Sequence, residues 1–205
     1  MKTLSNRFPR PIRNKIQLIR HKWTDKFLFI HINKTGGTSI AKALNIPPKH
    51  DTALEKIEEV GRIEWDKRFT FAVVRNPWDK VVSHYYYRVQ TNQTDLGSNQ
   101  INFKDWVKRV YQEKSRPYYD KPKMFMPQVD WVSDAAGTII VDHICRFESL
   151  EADFREVCDR LEIDYNLPHL KSSKRGNYRD YYDSETTAIV ADWYSQDIEK
   201  FNYTF

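Results

Sequence analysis

The chain has 205 residues, 40% of them hydrophobic, which is enough to bury one good core, and its length favours one domain over two. Its 33 Lys and Arg against 28 Asp and Glu leave a net charge of +5, an excess that suits an anionic ligand without demanding nucleic acid. It lacks a run of about 18 apolar residues such as a membrane span requires, and Cys145 and Cys158 lie in apolar periodic segments without a CxxC pairing. We therefore expect buried, reduced thiols, no disulfide, no transmembrane segment and a soluble, cytoplasmic protein.

Residues 1–25 read as a basic arm carrying Arg7, Arg10, Arg13, Lys15, Arg20 and Lys22, and residues 26–205 as a single domain. The arm lacks the uninterrupted apolar stretch of a signal peptide. A solvated segment is its plain reading, and contact with a membrane surface or an acidic polymer is the other. Phe27 to Ile32 is then an aromatic and β-branched run, the composition of a strand buried on both faces. NKTGGTS follows, and from Ser39 to Leu44 the apolar residues Ile40, Ala43 and Leu44 have helical spacing. A strand, a glycine turn and a helix start make a ready anion site, beside which Lys34 places a full charge.

Pro47 to His50 reads as a loop, after which Thr52 and Glu55 form a T-x-x-E capping box for a helix running to about Val60. Arg68 to Val74 is the second strand signal, ending at Arg75-Asn-Pro-Trp-Asp, where Asn76 suits the N-cap, Pro77 the first helical position and Asp79 the first turn. Asn102 with Asp105 opens a helix to about Glu113, and Ser115 to Lys123 is loop. Thr138 to Ile144 is the third predicted strand. Glu148 to Leu161 and Ser184 to Phe201 are predicted helices, separated by a polar loop holding Lys174-Arg175-Gly176 and Tyr178, Tyr181 and Tyr182.

Strands alternating with helices imply a parallel sheet with helices on both faces, whose ligands bind beyond the carboxyl ends of the strands. Lys34 and Arg75 both fall at such ends. Two strands thus deliver a cation and a helix start to one edge, as a ligand with two phosphate-like groups needs. A Walker A loop would place its lysine after the glycines and follow it with Ser or Thr for magnesium, whereas Lys34 precedes Gly36-Gly37, so an ATPase or kinase is disfavoured. Zinc and EF-hand spacings are missing and the six histidines are scattered, so no metal is assigned.

IHINKTGGTSI resembles the 5'-phosphosulfate loop of the sulfotransferases, in particular the carbohydrate family often called sulfotransferase family 2, and FAVVRNPWDKVVSHYYYR resembles that family's 3'-phosphate segment. GTIIVDHICRFESLEADFREVC, LPHLKSS and YRDYYDSE are similar to its C-terminal half, so the resemblance runs from about Lys26 to Phe205. One departure is Asn33, where a proline is usual. The resemblance implies an α/β, P-loop-like three-layer fold with a small central parallel sheet flanked by helices. It implies 3'-phosphoadenosine 5'-phosphosulfate (PAPS) as donor, without a metal, and a hydroxyl-bearing acceptor, a carbohydrate or other polar molecule.

Carried over by position, Lys34, Thr35, Gly36, Gly37, Thr38 and Ser39 would hold the 5'-phosphosulfate, and Arg75 and Ser83 the 3'-phosphate. Lys174, Arg175 and Gly176 resemble the basic loop that closes on that phosphate. Lys34 would also stabilise the leaving oxygen. The acceptor hydroxyl must lose a proton, and His50, on the loop after the first nucleotide-binding helix, is the candidate base, with Glu55 and Asp51 as fallbacks. His31 reads as a satisfied core residue and His84 as packing on the helix of Ser83. Trp78 and Tyr85, Tyr86 and Tyr87 read as core aromatics outside the site. Two other readings compete: an RNA or single-stranded DNA module, suggested by charge and tyrosines but lacking a motif, and an ATP-dependent kinase on a variant phosphate loop.

Overall fold

The computed structural model describes Ile19 and residues 25–168 and 175–205. Of the basic arm only Ile19 and Asp25 are described, and Lys174 and most of LPHLKSS lie outside the described residues. Three parallel strands, β1 (Phe27–Ile30), β2 (Phe69–Val74) and β3 (His143–Arg146), form a sheet in the order β1-β2-β3. Ile30 lies opposite Ala72, and Val74 opposite Arg146, so the carboxyl ends of all three strands share one edge.

Strand alternation sends Leu28, Ile30, Ala72 and Val74 to one face and Phe27, Phe29, Phe71, Val73 and Cys145 to the other. The first face packs against α2 (Ala53–Val60), α3 (Arg62–Asp66), α6 (Val129–Val132) and α9 (Ser195–Phe201). The second packs against α1 (Gly37–Ala43) and α7 (Leu150–Leu161). A third apolar cluster lies beside the sheet, between α4 (Pro77–Gln90), α5 (Phe103–Val107) and α8 (Ser184–Trp193), and is dominated by Trp78, Tyr85, Trp106, Tyr111 and Phe125. This is the expected α/β arrangement, a small parallel sheet flanked by helices. Among the described residues, no helix is long and apolar enough to cross a membrane. Cys145 and Cys158 are buried free thiols.

Local signals behave as their chemistry requires. The Thr52 hydroxyl accepts from the Glu55 amide at 3.2 Å and the Glu55 carboxylate accepts from the Thr52 amide at 2.7 Å, closing the capping box of α2. Asn76 caps α4 by accepting from the Trp78 amide, with Pro77 at the first helical position. Two predicted elements differ. The third strand begins at His143, because residues 138–140 turn back on residues 132–134: the Asp134 amide donates to the Thr138 carbonyl and the Ile140 amide to the Val132 carbonyl. Asp142 then locks the register of β3, its carboxylate accepting from the amide and hydroxyl of Thr70 at 2.7 and 2.8 Å.

The predicted helix from Ser184 to Phe201 is two helices that meet at Tyr194, whose φ of −104° and ψ of 25° leave the helical region. At that bend Trp193 Nε1 and the Tyr194 hydroxyl both donate to the Phe125 carbonyl, at 2.8 and 3.1 Å. The new direction brings Asp197, fully buried, to the amides of Gln128 and Val129 and to the Gln128 side chain, at 2.8, 2.8 and 3.0 Å. Burial raises the Asp197 carboxyl above its ordinary range, opposed by these amides and by the charge of buried Lys80. Removing the acceptor strands both, so Asp197→Ala is expected to lower stability by about 3–5 kcal/mol. Urea denaturation checks this as a lower midpoint at unchanged slope.

Candidate active site

Beyond β1 the chain turns at NKTGG with two left-handed residues, Lys34 at φ 66° and Gly36 at φ 82°. Gly36 also presses on α7: a Cβ there would lie 2.9 Å from Leu150 Cδ2. At Gly37 the obstacle is the His31 ring, whose Cδ2 would be 2.1 Å from an added Cβ. Gly36 is therefore required by its left-handed backbone and Gly37 by the ring against it. Thr35 is fully buried and its hydroxyl donates to the Ile32 carbonyl at 3.0 Å, so its backbone is what it offers a ligand. Thr38 is exposed and Ser39 buried. Asn33, where a proline was the usual residue, donates from its side chain to the Met124 carbonyl at 2.9 Å and ties the turn to the 122–128 segment.

Arg75, at the end of β2, is 7% exposed and anchored through both its backbone and its side chain. Its backbone amide and carbonyl pair with the Gln128 side chain at 2.9 and 2.7 Å. Its Nε and Nη2 meet one oxygen of Asp79 at 2.7 and 2.6 Å, its Nη1 donates to the Lys34 carbonyl at 2.9 Å, and its face lies 3.8 Å over the Phe147 ring. Arg175 pairs with the other Asp79 oxygen. The two candidate arginines thus converge on one carboxylate, directly behind the glycine turn. Burial draws the Arg75 guanidinium below its ordinary value, against the pull of Asp79, yet an arginine stays charged in a protein.

The start of α4 differs from a bare helix terminus: the Asn76 amide donates to the Glu148 carboxylate at 2.6 Å. The anion expected at this second helix start is thus supplied by the protein. Ser83 is half-buried on the Asp79, Ser83, Tyr87 stripe of α4, where four residues advance about 6 Å. Tyr87 closes that stripe, 43% exposed, with the Lys34 ammonium 4.1 Å above its ring centroid. Tyr87, Asp79 and Gln128 touch candidate site residues, although sequence reasoning read Tyr87 as a core aromatic, gave Asp79 only a place in the first helical turn and assigned Gln128 no role; for Tyr87 the usable signal was its place four residues after Ser83. Trp78 and Tyr85 are core as expected. Gly176 is exposed, near Asp180.

His50 sits on the loop before α2, half-buried, with Nδ1 2.8 Å from the His31 carbonyl oxygen. A carbonyl only accepts, so a neutral His50 carries its proton on Nδ1 and presents Nε2 as the basic nitrogen. The fallback carboxylates are engaged. Burial pushes Asp51 up, but Lys49 at 2.9 Å and Lys56 at 3.0 Å hold it below its usual range. Glu55 is likewise drawn down, against a burial penalty, by Lys123 and the Thr52 amide.

His31 departs from the expectation of a satisfied core residue. It lies past the end of β1, is 4% exposed, and its Nδ1 has no hydrogen-bond partner. Its ring is 4.2 Å from that of His50. Burial, then the nearby His50, lowers its pKa to about 3. His84 packs on α4 against Phe125 and Trp106, as expected. Among the described residues, no group of three or more His, Cys, Asp or Glu stands together as metal ligands.

A parallel α/β sheet with a lysine-glycine turn and a buried arginine on one edge narrows the class, and comparison with known proteins gives the family. Residues 19–204 match the model of the sulfotransferase family, and the chain belongs to that family. It is also similar, at 29% identity over 123 residues, to an uncharacterized protein of Archaeoglobus fulgidus, a match covering 58% of this chain and 90% of that one. No solved structure matches significantly.

Two outcomes follow from this geometry. Gly36→Ala is expected to lose about 1–2 kcal/mol from its left-handed backbone alone, read by urea denaturation. His31 binds a proton more readily unfolded than folded, so its contribution is intact above its unfolded value of 6.5 and declines as pH falls from there toward 3. Between pH 7 and pH 5 this one group should remove on the order of 2 kcal/mol of stability, and His31→Gln should flatten that slope.

Proposed function

We propose that this sulfotransferase moves the sulfuryl group of PAPS to a hydroxyl, with a carbohydrate or other polar molecule as acceptor. The observation that carries the reading is the Arg75 guanidinium seated on the Lys34 carbonyl at 2.9 Å, which joins the two basic turns into one site. A donor with phosphates on the 3' and 5' carbons of one ribose fits such a pair. The donor set also fits: two glycines that no side chain can replace without collision or strain, and two arginines already gathered on the Asp79 carboxylate.

In this reading Lys34, Gly36, Gly37, Thr38, Ser39 and the Thr35 backbone hold the 5'-phosphosulfate. Arg75, Ser83, Arg175 and Gly176, with Lys174, hold the 3'-phosphate. His50 Nε2 takes the acceptor's proton as its oxygen forms the new bond to sulfur, and the Lys34 ammonium balances the charge on the bridging oxygen as the old bond breaks. Buried thiols at Cys145 and Cys158 suit a reducing compartment, and we assign the protein to the cytoplasm.

Thermal shifts with adenosine 3',5'-bisphosphate, ADP plus magnesium, and a single-stranded oligonucleotide discriminate the readings. At a hundred times its dissociation constant the bisphosphate should stabilise by about 2.7 kcal/mol. A shift only with ADP and magnesium, or only with the oligonucleotide, overturns the proposal. Lys34→Ala and Arg75→Lys should weaken bisphosphate binding, the second because lysine loses the planar fork that spans Asp79 and the Lys34 carbonyl. His50→Ala should spare binding and lower turnover about 100-fold; near-normal turnover would move the base elsewhere.

A further inference from the structure

His31 has no part in the chemistry assigned above, yet it touches both halves of the machinery. Its carbonyl accepts from His50 Nδ1 at 2.8 Å, and its ring stands 4.2 Å from the His50 ring at 41°. On the other side, its Cδ2 and Nε2 occupy the space a Gly37 side chain would need, 2.1 and 2.4 Å from the Cβ position. One side chain is thus wedged between the candidate base and the candidate phosphosulfate turn.

An apolar residue would fill this space without burying a polar atom, whereas the imidazole keeps a buried Nδ1 with no partner. A burden of that kind persists where a site requires it. What the imidazole offers here is a thin, flat ring that fits between a second ring and a glycine backbone. Its burial also keeps it uncharged beside His50. The groups facing it are His50 from the loop before α2, Phe29 stacked at 5.6 Å from β1, and Gly37 from α1.

We propose that His31 is a positioning residue: its carbonyl selects the His50 tautomer with Nε2 free, and its ring sets the spacing between His50 and the Gly37 turn. The proposal rests on His50 being the base. It makes the distance from base to donor a property of one wedged ring rather than of two independent loops.

The test is a double-mutant cycle of His31→Ala and His50→Ala, following turnover and affinity for adenosine 3',5'-bisphosphate. His31→Ala retains the backbone carbonyl and removes the wedge. Turnover should fall about 10- to 100-fold, as a misplacement near 1 Å does, with bisphosphate affinity changed less than about threefold, because the lost interaction serves the transition state. In the His50→Ala background the same substitution should have no further effect on turnover. His31→Gln, a flat non-titrating group of similar reach, should recover most of the activity and guards against a folding defect in the alanine variant. If the two losses multiply, or if His31→Ala weakens bisphosphate binding in step with turnover, His31 is merely structural and the proposal fails while the base assignment stands. If His50→Ala alone keeps near-normal turnover, the base assignment fails first.

Discussion

A buried guanidinium must find partners for its charge and its N–H groups, and Arg75 is where that requirement organises the candidate site. Its charge is met by Asp79, one Nη1 N–H by the Lys34 carbonyl, its flat face by Phe147, and its backbone by Gln128. Each contact fixes a different piece of the molecule: the first turn of α4, the glycine turn after β1, the segment leading into α7, and the 122–128 segment. Gln128 is in turn held by Asp197 from the final helix. Positions far apart in sequence are thereby referred to one side chain at the end of the central strand.

The electrostatics follow from the same crowding. Arg75 and Arg175 are like charges in a low-dielectric setting, and Asp79 between them is what allows both to remain there. The Lys34 ammonium lies over the Tyr87 ring, a cation–π contact that adds a further residue of α4 to the same neighbourhood as the glycine turn. Around His50 the order is reversed: nearby carboxylates are saturated by Lys49, Lys56 and Lys123, while the imidazole has one nitrogen tied to a carbonyl. Of the groups considered for proton transfer, His50 is therefore the one with a basic nitrogen to spare.

Two of the departures from sequence expectation share a cause. Thr138 to Val141 has strand composition, but Asp142 meets Thr70 and sets the register, so the sheet takes up the chain only at His143. The last helix has unbroken helical periodicity through Tyr194, but a straight rod could not bring Trp193 and Tyr194 to one carbonyl and Asp197 to Gln128. His31 sits in an apolar run and reads as core, though its neighbours turn out to be His50 and Gly37. In the first two cases a polar contact across a long sequence gap overrode a local pattern.

What the sequence determined by itself is whatever depends on neighbours a few residues apart. The two strand-turn-helix units, the Thr52 and Asn76 caps, the glycines of the turn, and Lys34 and Arg75 at strand ends all follow from local sterics and hydrogen bonding, and alternating elements place those ends on one edge. Tertiary structure alone decided what those residues touch at long range: Arg175 on Asp79, Tyr87 beneath Lys34, Gln128 along the Arg75 backbone, and His31 against His50. Such contacts are set by how packed elements close on one another, and side chains brought together across tens of residues leave no periodicity or spacing in the chain to mark them.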